Sequence, residues 1–470
     1  MIYSFLSPLS KSSNIENFNS CYYLVMKFKK LLPFLLLLVL PLLVFATKQI
    51  IDYRKGAAGT PANIIIDTQN PGTNVPSSLW QNLSQGGEEP LDMIKPVIGQ
   101  IKLLQPELIR VDHIFDFYKV DQGNGNYDFS KLDGVVESIL ATGAKPMLSI
   151  SYTPDSKPPT DWNQWYGLVK ATAHHYSVDK KISGIYYEVW NEPDLFGGWH
   201  YAKDPNYTTL YHNTARAVVD GASGSYYKIG GPAITAYYEN WIKSLFASTA
   251  KSGIRLDFIS WHKYSKNPTD FLADFNSLNR ILSDYPQYFD IERLITEIGP
   301  NPEPDAWYDQ SQSGVHLMSV VTQLTGKIHR IFSFEPVDGP NPRSDKSSGW
   351  GLITHSSKGN VPKPRYYAIQ FLNELKGQLL PSSGDGSWVT SLSTKFGNKY
   401  QSLIVNYDQN SGHNETVPIS FKGLTPGTYT VTIKRYLGKT SSKKVTINSP
   451  TLTEEIYMSP NSAIIIEITN

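Results

Sequence analysis

Cysteine is almost absent from this chain of 470 residues, in which Cys21 is the only one. A disulfide framework within the chain is therefore excluded, and stability has to come from burial of a core. Charged residues are also scarce, at 18%, and the formal net charge is only +1. This balance removes the electrostatic case for nucleic-acid binding, which needs a basic face. Because no zinc-ligand spacing, phosphate-binding glycine loop or dinucleotide fingerprint occurs, we expect no metal and no cofactor.

The longest apolar run, residues 31–46, is short for a membrane span, which needs roughly 20 apolar residues. It contains two prolines, follows a lysine cluster that begins at Lys27, and ends in small residues that suit signal peptidase. We therefore predict an export signal cut after Ala46, with residues 1–25 as an upstream extension before a start at Met26. The alternative is an uncleaved anchor, which would be the protein's only contact with a membrane. Either reading places the protein outside the cytoplasm, secreted or at the cell surface.

Apolar residues make up 40% of the chain, which is enough for a large core. They occur in short runs that alternate with amphipathic stretches. After a linker at residues 47–61, residues 62–380 carry eight strand candidates with helical patterns between them. This pattern predicts an α/β fold, a (β/α)8 TIM barrel. The strand candidates are Ser78–Leu83, Leu108–Asp112, Pro146–Ser151, Gly184–Trp190, Tyr227–Gly231, Asp257–Trp261, Arg293–Glu297 and Ile328–Phe334. The helix candidates are Lys131–Ala141, Asp161–Tyr176, Asn206–Gly221, Trp241–Ser252, Thr269–Asp284, Gly314–Thr325 and Tyr366–Leu375.

In residues 381–470, apolar and polar residues alternate strictly within short runs, as in Thr428–Lys434, and turn residues separate the runs. This texture predicts a C-terminal antiparallel β-sandwich domain. The early strand Asn63–Asp67 has no obvious partner in the barrel, and we expect it to join the sandwich. A structural cap is the favoured role of this domain, with a sugar-binding module as the alternative.

One stretch, Ile185–Asp194, ends an apolar run in Trp, Asn, Glu and Pro. Pro193 cannot donate to a strand ladder, so the pattern leaves Glu192 at the carboxyl end of a buried strand. Barrel enzymes keep their chemistry at that end of the barrel. Further along the chain, the short apolar run of Glu292–Pro300 ends similarly in Glu297. Two strand-end carboxylates are what glycoside hydrolysis uses, one as proton donor and one at the anomeric carbon or its attacking water.

The motifs Trp190–Pro193 and Ile295–Gly299 resemble the acid/base and nucleophile signatures of the retaining glycoside hydrolases of clan A. Within that clan the chain is similar to glycoside hydrolase family 39, which includes β-xylosidases and α-L-iduronidases, over roughly residues 75–375. The resemblance implies an exported hydrolase of a poly- or oligosaccharide that retains the anomeric configuration. Glu192 would be the acid/base and Glu297 the nucleophile of a double displacement.

The resemblance also implies substrate-binding residues at other strand ends. Asn191 would hold the sugar 2-hydroxyl, Arg110 and Tyr264 would hydrogen-bond the nucleophile, and Trp350 would floor the sugar subsite. The remaining candidates from the same comparison are Asp112, His113, His262 and Glu335.

Two of these positions depart from the family pattern. Asp112 occupies the position where many members have the His of an Arg-x-His motif, and His113 is the next residue along the chain. Glu335 begins a segment that replaces an acidic sugar-contacting motif. The particular sugar therefore stays open at this point. Two further readings also stay open: an endo-glycanase or arabinofuranosidase of another clan A family, and a non-catalytic carbohydrate-binding surface protein.

Overall fold

The computed structural model describes residues 59–153, 157–340 and 348–470, so the expected export segment lies outside the described residues. Residues from Pro61 to Asn470 form one unit. Within the described ranges, every helix is too short or too polar to cross a membrane.

Eight parallel strands, β2 to β9, close into a barrel in their order along the chain. Their bounds are Asn82–Gln85, Leu108–Val111, Lys145–Ile150, Ile185–Val189, Tyr227–Ile234, Phe258–Tyr264, Glu292–Gly299 and Arg330–Phe334. The predicted barrel is therefore confirmed, but its first strand was placed four residues early. Ser77–Leu79 form a 3-10 turn instead, because Leu79 and the following Trp80 are buried beneath the barrel rather than paired in it. An apolar run alone does not separate these two kinds of burial.

Helices cover the outside of the barrel and connect successive strands. The main ones are Ser130–Ala141, Trp162–His174, Tyr207–Gly221, Glu239–Ser252, Thr269–Leu282, Ser311–Leu324 and Pro364–Leu372, with a short helix at Ile98–Lys102. The helix Trp162–His174 begins after Asp161, whose carboxylate accepts hydrogen bonds from the backbone N–H groups of Asn163 and Gln164. The helix Glu239–Ser252 ends at Gly253, whose φ of 66° is the left-handed conformation that glycine tolerates.

The barrel interior is layered according to side-chain polarity. At the amino ends of the strands, Glu292 is paired with Lys228 and Arg330. A middle layer is apolar and consists of Leu108, Met147, Tyr186, Phe258, Leu294 and Phe332. Two residues further along β3 and β5, Arg110 and Glu188 point inward in their turn, because side chains on one face of a strand recur every second residue. Polar groups thus collect at the carboxyl mouth, where sequence reasoning places the site.

The C-terminal strands form two packed sheets. One has the order β11-β1-β14-β17 and the other the order β10-β12-β13-β18-β15-β16. Strand β1 is Ile64–Asp67, and β10 to β18 are Gln378–Leu380, Ser382–Ser383, Val389–Phe396, Lys399–Asn406, Glu415–Lys422, Gly427–Arg435, Ser441–Ile447, Thr451–Met458 and Ser462–Thr469. Strand β1 lies in this sandwich, between β11 and β14. It runs parallel to β14, whereas the other strand pairings of the two sheets are antiparallel.

The barrel and the sandwich share a core. Leu392, Leu403, Val405 and Ile465 of the second sheet belong to the same buried cluster as the barrel helices. Hydrogen bonds cross the same boundary, since the Tyr407 hydroxyl donates to the backbone oxygen of Lys266 at 2.6 Å. The sandwich therefore packs directly against the barrel.

Candidate active site

Glu192 follows β5 in a loop whose backbone is held in an unusual conformation. Trp190 and Glu192 have φ angles of 70° and 48°, in the left-handed region that non-glycine residues rarely adopt. The N–H of Glu192 donates to the backbone oxygen of Ala233 at 2.9 Å, and Ala233 is itself left-handed, at a bulge in β6. Such strain persists where the surrounding structure fixes it, and it is common at functional sites. Here it turns the Glu192 side chain back over the barrel mouth.

Glu297 owes its direction to a β-bulge. The register between β7 and β8 shifts so that Trp261 is opposite Ile295 while His262 is opposite Glu297, which leaves Thr296 as the extra residue. Leu294 belongs to the apolar layer inside the barrel. Strict alternation would then send Thr296 inward and Glu297 outward, and the extra residue reverses this order. The bulge thereby presents Glu297 to the mouth of the barrel.

His262 lies between Glu192 and Glu297. His262 Nδ1 lies 3.0 Å from Glu192 Oε1 and 3.4 Å from Glu297 Oε2. A side-chain oxygen of each glutamate and a ring nitrogen of His262 lie within 4.8 Å of one another. Burial opposes protonation of the fully buried His262, but Glu297 and Glu192 together outweigh it and raise its pKa.

Arg110 joins the site into a buried network. Its guanidinium donates to Glu297 Oε1 at 3.0 Å, to Asn191 Oδ1 at 2.6 Å, to Glu188 Oε2 at 2.5 Å and to the Ser84 hydroxyl at 3.2 Å. Burial works against its charge, yet the nearby carboxylates of Glu188 and Glu297 raise its pKa overall. Arg110 is fully buried, so it acts on a substrate through the residues it holds.

Tyr264 is the second donor to Glu297, with its hydroxyl 2.8 Å from Oε2. The resemblance implied that Arg110 and Tyr264 would both hydrogen-bond this carboxylate. Both hydrogen bonds are present, but burial is the larger effect and raises the pKa of Glu297 to about 7, against the opposing influence of His262 and Arg110. Around neutral pH, Glu297 is therefore poised between its two protonation states.

Asn191 and Asp112 meet beside this pair. The amide nitrogen of Asn191 donates to Asp112 Oδ2 at 3.2 Å and to the Tyr152 hydroxyl at 2.7 Å. The other oxygen of Asp112 is buried and has no hydrogen-bond partner in the part of the chain that the structure describes. Burial raises the pKa of Asp112, and His113 and Arg110 only partly oppose this. Asp112 and Asn191 both line the cleft described below.

His113 and Trp350 also line this cleft. His113 stacks on Phe117 with ring centroids 4.3 Å apart, and its Nδ1 lies 2.8 Å from Asp116 Oδ2. Trp350 is held by Phe334, whose ring packs against it at 5.7 Å. The imidazole and the indole thus have fixed orientations.

Glu335 differs from the expectation that it contacts sugar. Its side chain is fully buried, and its Oε2 accepts from the amide of Gln85 at 2.8 Å and from the N–H of Gly86 at 3.4 Å. Burial raises its pKa well above the ordinary value, with Glu88 adding to the effect. Glu335 lies beneath Gly86, which lines the cleft, and is not itself among the lining residues; its Oε1 is buried with no hydrogen-bond partner among the described residues. A strand-end position in the sequence does not distinguish these two placements.

Three residues of this network, Ser84, Glu188 and Tyr152, were not predicted from the sequence. Glu188 pairs with Arg110, and neither side chain is exposed to solvent. A carboxylate inside a run as apolar as Ile185–Val189 was the available signal, because a charged residue is almost never fully buried unless it is paired. Tyr152 follows β4 and carried no comparable signal in the sequence.

An open cleft of about 550 Å³ gives access to Glu192 and Glu297. Its volume falls in the range usual for small-molecule sites. Its lining includes the carboxylates of Glu88, Asp112, Glu192, Asp194, Glu297 and Glu303, and the imidazole of His113.

Glu192, His262 and Glu297 are also close enough together to hold a metal ion. A histidine that binds a metal usually donates its other ring nitrogen to a fixed acceptor. The Nε2 of His262 is buried and has no partner among the described residues. This geometry does not resemble a resident metal site.

The fold and the site together define a (β/α)8 barrel with a paired-glutamate centre at its carboxyl mouth. The family model described as "Glycosyl hydrolases family 39" matches residues 91–450, a range that contains both glutamates. The chain therefore belongs to glycosyl hydrolase family 39, and the resemblance seen in its motifs is confirmed.

Two curated relatives are β-xylosidases. That of Geobacillus stearothermophilus is 26% identical over 303 residues, which cover 55% of this chain and 58% of the relative. That of Caldicellulosiruptor saccharolyticus is 24% identical over 301 residues, covering 56% and 59%. The chain thus matches less than two thirds of the length of these relatives.

Solved structures share the fold. A monomeric β-xylosidase from Caulobacter crescentus superposes with a TM-score of 0.72 at 20% identity, over 87% of this chain and 99% of that one. A family 39 enzyme from Xanthomonas axonopodis pv. citri gives a TM-score of 0.70 at 20% identity, over 87% and 97%. At this identity the likeness concerns the fold alone.

Proposed function

We propose that the protein is a retaining glycoside hydrolase that acts by double displacement, with Glu297 as nucleophile and Glu192 as acid/base. The observation that carries this proposal is the approach of the two carboxylates, whose nearest oxygens lie within 4.8 Å. Retaining enzymes hold their carboxyl groups about 5–5.5 Å apart, whereas inverting enzymes leave about 6.5–9.5 Å for a water molecule. The spacing supports retention.

In the first step an oxygen of Glu297 attacks the anomeric carbon while the bond to the leaving oxygen breaks. Glu192 gives its proton to that oxygen, which departs as an alcohol. In the second step Glu192 takes a proton from water, the water oxygen bonds to the anomeric carbon, and the ester to Glu297 breaks. Two contacts support these roles: Arg110 and Tyr264 fix both oxygens of Glu297, and the Glu192 side chain is the more exposed of the pair, at 17% against 7%.

We propose further that the sugar bound next to Glu297 is uncharged, as in a β-xyloside. The cleft lining is rich in carboxylates, and its one basic side chain among the described residues is the imidazole of His113. Arg110 lies behind the surface and already pairs with Glu188 and Glu297. A uronic acid would bring a further negative charge to this lining, and like charges in contact cost several kcal/mol. The family's β-xylosidases therefore fit this cleft better than its iduronidases.

The test compares an aryl β-xyloside with an aryl α-L-iduronide, and follows the anomeric signal of the first product by NMR. We expect kcat/KM to favour the xyloside by at least about 100-fold, with β-xylose formed before mutarotation. Preference for the uronide would contradict the neutral-sugar assignment. Release of α-xylose first would contradict retention.

Export is proposed on the sequence alone, from the apolar run of residues 31–46 and the lysines before it. N-terminal sequencing of protein recovered outside the cells should begin at Thr47. Recovery of the intact chain in the membrane fraction would support the anchor instead.

A further inference from the structure

An apolar shelf borders one end of the cleft. It consists of Leu195, Phe196 and Tyr238, which are 62%, 42% and 46% exposed. All three line the same cleft as the glutamates. Scattered single apolar residues on a surface need no explanation, but apolar residues grouped at a concave site mark binding. The roles assigned so far to the catalytic pair and its network leave this shelf without a function.

The shelf is tied rigidly to the acid/base residue. The N–H groups of Leu195 and Phe196 both donate to the backbone oxygen of Glu192, at 2.9 and 2.7 Å. The Trp190 indole donates to the backbone oxygen of Phe196 at 3.0 Å, and the ring of Tyr152 packs edge-on against the Phe196 ring at 5.9 Å. An exposed ring whose backbone is held by two hydrogen bonds and whose ring packs against a buried neighbour is pre-organised for a ligand, because less freedom remains to be lost on binding.

Neighbouring packing keeps the loop in this shape. Gly197 has a φ of 89°, and a Cβ there would lie 2.7 Å from the Trp199 indole nitrogen and 2.9 Å from the Trp190 ring. Asp194 accepts from the N–H of Thr235 at 3.0 Å and from its hydroxyl. The latter contacts connect the loop after β5 to the segment after β6 that carries Tyr238.

The position of the shelf fixes which part of a substrate can reach it. The shelf follows β5 and β6, on the same side as Glu192. Trp350 and Glu88 line the same cleft but follow β9 and β2, which lie opposite β5 and β6 in the order of the barrel strands. The leaving oxygen must face Glu192, since that residue protonates it, and the attacked sugar must face Glu297. The group that departs therefore passes over the shelf.

We propose that Leu195, Phe196 and Tyr238 form the subsite for the leaving group, and that this group is a sugar ring bound through its C–H face. The inference rests on the proposed function and names the substrate's second part, so the natural substrate is a saccharide of at least two units. The shelf interleaves apolar surface with the Tyr238 hydroxyl and the carboxylate of Asp194, as suits a ring with one apolar face and hydroxyls at its edge. Recognition by an apolar face tolerates several sugars and linkages.

The experiment measures kcat/KM for xylobiose and for β-xylosyl fluoride, whose fluoride ion is too small to reach the shelf. Phe196→Ala should lower the ratio of kcat/KM for xylobiose to kcat/KM for the fluoride about tenfold or more. This is the loss expected when an aromatic ring that the bound sugar would cover is removed. Phe196→Tyr keeps the aromatic ring, so its ratio should stay at that of the unaltered protein. The matched control is Phe289→Ala, because Phe289 is 65% exposed and lies outside the residues that line the cleft; its ratio should equal that of the unaltered protein.

The possible outcomes separate the two proposals. If the unaltered protein turns over both substrates but Phe196→Ala leaves the ratio unchanged, the shelf assignment is overturned and the hydrolase assignment stands. If Phe196→Ala slows aryl xylosides while xylobiose is unaffected, the leaving group is an apolar aglycone and the sugar assignment is overturned. If the unaltered protein turns over neither substrate, the assignment of a β-xyloside as substrate fails, and the leaving-group role argued from it fails with it.

Discussion

Glu297 illustrates how single residues in this site are set by opposing influences. Burial raises its pKa to about 7, while His262 and Arg110 pull in the other direction. A nucleophile has to be ionised to attack, so the fraction of active enzyme grows as the pH rises through that value.

The first prediction follows from this pKa. For the unaltered protein, kcat/KM should rise with pH and level off above about 7 on its acidic limb. Tyr264→Phe removes a hydrogen bond to the ionised carboxylate, so it should raise the pKa of Glu297 and move the limb about half to one unit higher. pH–rate profiles of the two proteins check this. If the acidic limb of the profile lies at the same pH in both proteins, a group other than Glu297 controls that limb.

The second prediction concerns Glu192. Glu192→Ala should slow glycosides with poor leaving groups by about 10²–10⁴-fold, whereas activated aryl glycosides, which depart without a proton, should lose far less in the glycosylation step. Azide should restore turnover by entering the vacated space and attacking the glycosyl-enzyme. Parallel assays on both substrate types, with and without azide, measure this. Equal losses and no glycosyl azide would remove Glu192 from the acid/base role.

At the scale of elements, the β-bulge in β8 and the strained loop after β5 aim the side chains that perform the chemistry. The sequence predicted which strands carry Glu192 and Glu297, because apolar runs ending in a carboxylate are visible in one dimension. It did not predict the bulge at Thr296, which depends on register with β7. Nor did it place Glu335, whose burial depends on packing against Gln85 and Gly86.

The third prediction tests the end of β8. A Cβ added at Gly299 would lie 2.3 Å from the Tyr308 hydroxyl and 3.0 Å from the Tyr264 ring. Gly299→Ala should therefore displace Tyr264 from Glu297 and lower kcat by about tenfold or more, given the cost of losing one hydrogen bond to a charged group. The control is Gly134→Ala within helix Ser130–Ala141, where a Cβ would meet nothing within 4 Å. Normal kcat in Gly299→Ala would contradict the positioning role of Tyr264.

At the scale of the whole molecule, the ends of the barrel are tied together through the sandwich. Strand β1 precedes the barrel and pairs with β11 and β14, which follow it. The sequence indicated this placement only by exclusion, since Asn63–Asp67 lacked a partner in the count of eight barrel strands. The parallel pairing with β14 could not be read from alternation, which is the same for either strand direction.

The fourth prediction is that damage to the sandwich also unfolds the barrel. Ile66 of β1 is fully buried, and Ile66→Ala should lower stability by about 2–5 kcal/mol. The matched control is Ile65→Ala, since Ile65 is only half-buried on the opposite face and should cost less. Because the core is shared, enzymatic activity and secondary structure should be lost together at the same lowered temperature. Loss of sandwich structure with activity preserved would show that the barrel stands alone.

The central claim is that Glu297 forms a covalent bond with the sugar, and one measurement tests it most directly. An activated 2-fluoro-xyloside slows both steps by destabilising the oxocarbenium-like transition state, while its good leaving group lets the first step proceed. The ester should therefore accumulate. Mass spectrometry of the digested protein should find the fluoro sugar on the peptide that contains Glu297, with one label per chain and activity lost in proportion. A label on another carboxylate, or complete inactivation without any label, would contradict the account.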